Sequence, residues 1–94
     1  MPNAVLIYNP QSGRHRERRL EELNVARRIL QEAGIAAEPK STQDRGSATQ
    51  LARQAIADGC ELVICCGGDG TINEVVNGMA GSAVPLAVLP AGTA

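Results

Sequence analysis

Four short apolar runs, at residues 4–8, 35–39, 61–66 and 85–89, alternate with three stretches whose apolar residues return every three or four positions. That alternation predicts the order β-α-β-α-β-α-β. Ala4, Val5, Leu6, Ile7 and Tyr8 follow one another without a polar break, and Leu62, Val63, Ile64, Cys65 and Cys66 do the same, so both strands call for cover on two faces. The run at 35–39 is weaker. Doubly covered strands separated by helices belong to a parallel sheet with right-handed crossovers. The expected class is therefore α/β, a three-layer open parallel sheet.

The helical stretches carry their own punctuation. Residues 18–33 place Leu20, Leu23, Ala26, Ile29, Leu30 and Ala33 on one predicted face, with Gly34 as the stop. Residues 47–58 repeat the spacing through Ala48, Leu51, Ala52, Ala55 and Ile56; Ser47 and Gln50 are spaced as a capping box, and Gly59 ends the helix. The third helix, 71–80, is the shortest.

Composition removes several function classes. Ninety-four residues make one domain, and no apolar run approaches the ~18 residues of a membrane span. Met1-Pro2-Asn3 lacks the basic start and apolar core of a signal peptide, so a cytoplasmic protein is expected. A formal net charge of −1 lacks the electrostatic footprint of a nucleic-acid binder, and no nucleic acid partner is expected. Cys60, Cys65 and Cys66 fit neither zinc spacing nor a disulfide framework and read as small buried hydrophobes. Tyr8 is the only aromatic residue, which rules out a base-stacking platform. Lys40 is the only lysine and no G-x-x-x-x-G-K-[ST] occurs, so phosphate contacts would have to come from backbone, hydroxyls and arginines.

In an open parallel sheet the loops that follow the strands lie along one edge. Here those loops are 9–13, 40–46, 67–71 and 90–93, and three of them pair glycine with a hydroxyl: Ser12-Gly13, Gly70-Thr71 and Gly92-Thr93. The loop Gly67-Gly68-Asp69-Gly70-Thr71 empties a buried strand into a helix start. Glycines there let backbone approach an anion closely, and the free N–H groups of a first helical turn suit phosphate. Asp69 reads in two compatible ways, as the N-cap of the third helix or as the carboxylate that holds a cation or takes a proton. The basic run Arg14-His15-Arg16-Glu17-Arg18-Arg19 opposes the dipole of the first helix; it is either a solvated surface or a place where Arg14 or Arg16 meets phosphate. His15 reads as exposed, and Asn73 and Glu74 read as polar-face residues of the third helix, with contact to a ligand as the alternative.

Taken together, Asn9-Pro10-Gln11-Ser12-Gly13, Thr42 followed by Gly46-Ser47-Ala48, Gly67 through Glu74, and Leu89-Pro90-Ala91-Gly92-Thr93-Ala94 resemble the diacylglycerol kinase catalytic domain family, lipid kinases related to NAD kinases. The resemblance spans nearly the whole chain. It implies ATP held with Mg²⁺ across these loops. Asn9, Ser12 and Gly13 would contact nucleotide, Thr42 would lie at its edge, and Gly67, Gly68, Asp69, Gly70, Thr71, Ile72, Asn73 and Glu74 would cradle phosphates. Gly92 and Thr93 would close the site, and Asp69 would act through Mg²⁺ or on the attacking hydroxyl. Position 47 departs from the family, which often has an acidic residue where this chain has Ser47.

Family members continue into a largely β second domain that completes the lipid site. On that reading residues 1–94 are the N-terminal nucleotide-binding part, the C-terminal domain is absent, and these residues alone bind without turnover. Further expectations are a lipid alcohol as substrate, peripheral membrane contact through the absent domain, and self-association of the uncovered sheet. The competing readings are an NAD kinase-like phosphotransferase and a non-catalytic nucleotide-binding module.

Overall fold

The computed structural model describes residues 3–10 and 16–90. Its elements are β1 (Asn3–Tyr8), α1 (Arg16–Glu32), β2 (Ala36–Ser41), α2 (Ser47–Ala57), β3 (Leu62–Gly67), α3 (Asp69–Gly78) and β4 (Leu86–Pro90). All seven lie in the order read from the sequence. The strands form one parallel sheet in the order β2-β1-β3-β4.

Strand alternation divides the core in two. On one face Val5, Ile7, Val63 and Cys65 pack against Ala48, Ala52 and Ala55 of α2, Val75 of α3 and Met79, the C-cap of α3. On the other, Ala4, Leu6, Ile64 and Cys66 meet Leu23 of α1, with Leu30 packed alongside. This placement follows from crossover handedness. The path β1 to β2 runs in one direction across the sheet, whereas β2 to β3 and β3 to β4 run in the other, which puts α1 opposite α2 and α3. Leu6, Ile7, Val63, Ile64 and Val75 are fully buried, each contributing about 1.5–3 kcal/mol of transfer free energy.

The face of α1 is narrower than its spacing predicts. Ile29 is 60% exposed and Ala33 also faces solvent, while Leu23 is buried and Leu30 half-buried. At ~100° per residue, Ile29 lies about 120° around the helix from Leu23, too far to reach a flat sheet.

Both long helices end in the 6→1 and 5→2 pattern of a Schellman motif. Ile35 N–H donates to Leu30 O at 2.9 Å and Gly34 N–H to Gln31 O at 3.0 Å; Cys60 N–H donates to Ala55 O at 3.1 Å and Gly59 N–H to Ile56 O at 3.0 Å. Gly34 and Gly59 take the left-handed conformation this requires, with φ of 81° and 88°.

The capping box expected of Ser47 and Gln50 does not form. The N-cap is Gly46, which has no side chain to offer, and Ser47 is the first helical residue. Ser47 Oγ instead accepts the Gln43 N–H at 3.0 Å, tightening the loop that enters α2.

Helices α2 and α3 cross at Gly78. A Cβ there would lie 2.4 Å from Thr49 O and 2.9 Å from Ala52 Cβ, so only glycine lets the two backbones approach this closely. The three cysteines form no disulfide and are buried. Burial, with Cys66 alongside, pushes the Cys65 thiol up to about 11, and burial also raises that of Cys60, so both stay neutral packing groups at physiological pH.

Candidate functional site

The C-terminal ends of all four strands lie along one edge, and the strand order reverses direction between β1 and β3. In open α/β sheets the crevice at such a reversal is where ligands bind. Asn9 leaves β1 on one side of it and Gly68-Asp69-Gly70-Thr71 leaves β3 on the other. Pro90, at the end of β4, pairs with Gly67.

A cavity of about 190 Å³ opens at this edge, lined by Asn9, Thr42, Asp44, Arg45, Thr71 and Glu74 among others. Residues predicted from three different loops thus share one wall. Thr42 is buried, and its N–H donates to Tyr8 O at 2.8 Å, which ties the loop after β2 to the end of β1. Asp44 and Arg45 were not singled out in the sequence. Their only signal was membership of the loop 40–46, and they bring one charge of each sign to the cavity. Ser12, Gly13, Gly92 and Thr93 lie outside the described residues, as do Arg14 and His15.

The N-cap of α3 is Gly68, so Asp69 is not the cap but the first helical residue, and it is exposed. A carboxylate in the first turn still complements the helix dipole. Ile72 N–H donates to Gly68 O at 3.0 Å, the bond that closes the first turn of α3. The N–H groups of Asp69, Gly70 and Thr71 precede that bond and have no acceptor within the helix. Ile72 packs against the core, so its side chain serves the fold, whereas Asn73 is exposed.

The three glycines of the loop differ in why they are glycine. A Cβ on Gly67 would come within 3.1 Å of Thr71 Cβ, so packing explains that glycine. Gly68 suits an N-cap, a position where glycine is favoured over alanine. Gly70 has no such reason: its φ is not in the left-handed region, and a Cβ there would meet nothing within 4 Å.

Glu74 reaches away from its own helix. Its Oε1 accepts the Gly46 N–H at 3.1 Å and the Ala48 N–H at 3.2 Å, while Thr49 Oγ1 donates to Glu74 O at 2.8 Å. The first turn of α2 has no acidic residue of its own. Among the described residues no group of three or more His, Cys, Asp or Glu could hold a metal ion.

A three-layer parallel α/β domain with a glycine-rich strand-to-helix loop at its reversal point is the class these features define. The model of the diacylglycerol kinase catalytic domain matches residues 3–94. Diacylglycerol kinases of Bacillus subtilis (strain 168) and Staphylococcus aureus (strain MRSA252) are each 41% identical to the chain, over 99% and 96% of it. The crystal structure of a diacylglycerol kinase from Bacillus anthracis str. Sterne superposes with a TM-score of 0.68 at 29% identity, covering 98% of this chain and 34% of that one. The chain belongs to the diacylglycerol kinase catalytic domain family. It spans 31% and 29% of the length of the two relatives it matches above.

Proposed function

We propose that this chain is the N-terminal nucleotide-binding part of a kinase that transfers the γ-phosphoryl group of ATP to the hydroxyl of diacylglycerol or a related lipid alcohol. Membership of the family supports the kinase chemistry. The observation that carries the nucleotide site is Gly70, a glycine inside a helix with open space where its side chain would be. Glycine in the middle of a helix costs roughly 0.5–1 kcal/mol relative to alanine, and less in the first turn where Gly70 lies, so a position that neither strain nor packing reserves for it points to a ligand that approaches the backbone there.

On this reading the N–H groups of Asp69, Gly70 and Thr71 receive phosphate oxygens, and Gly67 and Gly68 keep the strand-to-helix turn tight. Asn9, Ser12, Gly13, Gly92 and Thr93 surround the nucleotide from the neighbouring loops, Thr42 borders it, and Ile72, Asn73 and Glu74 complete the α3 wall. The exposed carboxylate of Asp69 fits a divalent cation such as Mg²⁺, which commonly takes one or two carboxylates and fills its other positions with phosphate oxygens and water. Such a cation, when bound, neutralises charge on the transferring phosphoryl group. Asp69 would hold that cation or act on the attacking hydroxyl.

Phosphoryl transfer depends on positioning and charge stabilisation, so a partial cleft binds without turning over. The lipid site belongs, on this proposal, to a second domain that these 94 residues do not contain. No helix among the described residues is long and apolar enough to cross a membrane, and we place the encounter with lipid at the membrane periphery. Calorimetric titration with Mg·ATP tests the reading. Saturable binding is expected, weakened at least tenfold, about 1.4 kcal/mol, in Asp69→Ala. No binding by the unaltered protein, or equal affinity in both, contradicts it.

A further inference from the structure

Two helix N-termini face the candidate cleft, those of α2 and α3, and the structure treats them differently. The start of α3 has no side-chain cap, so its first N–H groups have no acceptor within the helix. The start of α2 is occupied from within the protein, because Glu74 Oε1 takes the N–H groups of Gly46 and Ala48 at 3.1 and 3.2 Å. Gly46 contributes no capping side chain, and no acidic residue lies in the first turn of α2. The carboxylate therefore supplies from 26 and 28 residues away what the sequence around α2 lacks.

We infer that Glu74 is a positioning residue: its carboxylate occupies the anion-favouring start of α2, leaves α3 as the phosphate-facing helix, and holds the loop of Thr42, Asp44 and Arg45 against Thr71. The assignment of phosphate to α3 rests on the nucleotide reading above; the clamp itself rests on the two hydrogen bonds. Three features support it. Glu74 lines the same cavity as Thr42, Asp44, Arg45 and Thr71, so the loop it holds is a wall of that cavity. Gly46 adopts φ 90°, which turns the chain at the point where the clamp grips it. The second tie between the helices, Thr49 Oγ1 to Glu74 O at 2.8 Å, acts on the backbone of Glu74 and leaves the loop amides untouched.

That last point supplies the control. Glu74→Ala removes the acceptor from the loop. Glu74→Gln keeps an oxygen in the same place without the charge. Thr49→Val weakens the same helix pair while leaving the clamp in place. Amide hydrogen exchange is measured for all three, together with the urea midpoint and Mg·ATP affinity. The expected result for Glu74→Ala is exchange at Gly46 and Ala48 at least tenfold faster, with Leu6 and Ile64 unchanged, and Mg·ATP affinity at least tenfold weaker. Glu74→Gln should restore most of both, and Thr49→Val should lower the midpoint yet keep affinity within about twofold of the unaltered protein.

Exchange at Gly46 and Ala48 that is unmoved in Glu74→Ala overturns the clamp, whatever happens to nucleotide. Affinity that falls in proportion to lost stability in Thr49→Val as well overturns the positioning role in favour of a merely structural one. Should the alanine variant not fold, the same exchange comparison is made on Glu74→Gln, where weaker acceptance still predicts faster exchange than in the unaltered protein; equal rates overturn the proposal. An unaltered protein that ignores Mg·ATP overturns the nucleotide reading and with it the role assigned to α3, while the exchange rates still decide the clamp.

Discussion

Replacing Gly78 by alanine sets two effects against each other, and the structure says which wins. As a helix residue, alanine is favoured over glycine by at most about 1 kcal/mol, and less at the last position of α3. Against this, the new Cβ would sit 2.4 Å from Thr49 O, inside the 3.4 Å at which ordinary contact begins. The obstacle is backbone of α2, which cannot rotate away as a side chain could. Helices α2 and α3 must therefore separate by roughly 1 Å, and overpacking of that kind costs about 1–3 kcal/mol.

The separation also stretches the Thr49 Oγ1 bond to Glu74 O and both bonds of the Glu74 carboxylate, each worth about 0.5–1.5 kcal/mol while intact. The net expectation for Gly78→Ala is a loss of about 1–3 kcal/mol, and each kcal/mol lowers Tm by roughly 4–8 °C in a domain of this size. Thermal and urea unfolding followed by circular dichroism measure it, with the exposed Asn77→Ala as a neighbouring control expected to stay within about 0.5 kcal/mol. A Gly78→Ala protein as stable as the original, or more so, would show that the helices do not meet as closely as described.

Two further outcomes follow from the same packing. The folded Cys65 thiol ionises at about 11 against an ordinary value of 9.0, so the stability it lends is complete below pH 9 and lost as pH climbs from 9 to 11. The urea midpoint should fall over that window, less so in Cys65→Ala, and an identical fall in both proteins would rule out this thiol as the cause. The two sheet edges also differ: β2 carries Pro39 and a Glu38–Lys40 ion pair at 3.1 Å, whereas β4 has no charged residue and its Val88 is 45% exposed. Uncharged edges invite pairing, so sedimentation should show self-association of these 94 residues that Val88→Lys reduces; a monomer at high concentration would contradict it.

Much of this was legible because local chemistry and the global fold agree. The uninterrupted apolar run from Leu62 to Cys66 is buried from Val63 onward, and Gly34 and Gly59 end their helices through bonds that involve only nearby residues. Convergence of Asn9, Thr42, Thr71 and Glu74 followed from the rule that parallel strands deliver their loops to one edge.

What escaped the sequence depends on distance or on rotation. The cap of α2 comes from Glu74 on another helix, so Ser47 and Gln50, though correctly spaced, were not needed for it. Asp69 moved from cap to first helical residue, a shift of one position that spacing alone could not fix. Ile29 matched a helical period yet faces water, because one flat sheet covers only part of the circumference of α1. Nothing local to residue 78 in the sequence marks the close approach of the Thr49 backbone that requires glycine there.

The central claim is that Gly70 is kept as glycine for a ligand and not for the fold, and Gly70→Ala separates the two. With nothing within 4 Å of the added Cβ, folding should be unharmed or slightly strengthened, by up to about 1 kcal/mol. Mg·ATP affinity, measured by calorimetry on the same sample, should drop at least tenfold. A variant that melts no earlier and binds Mg·ATP as tightly as the unaltered protein would contradict the assignment of this loop to phosphate.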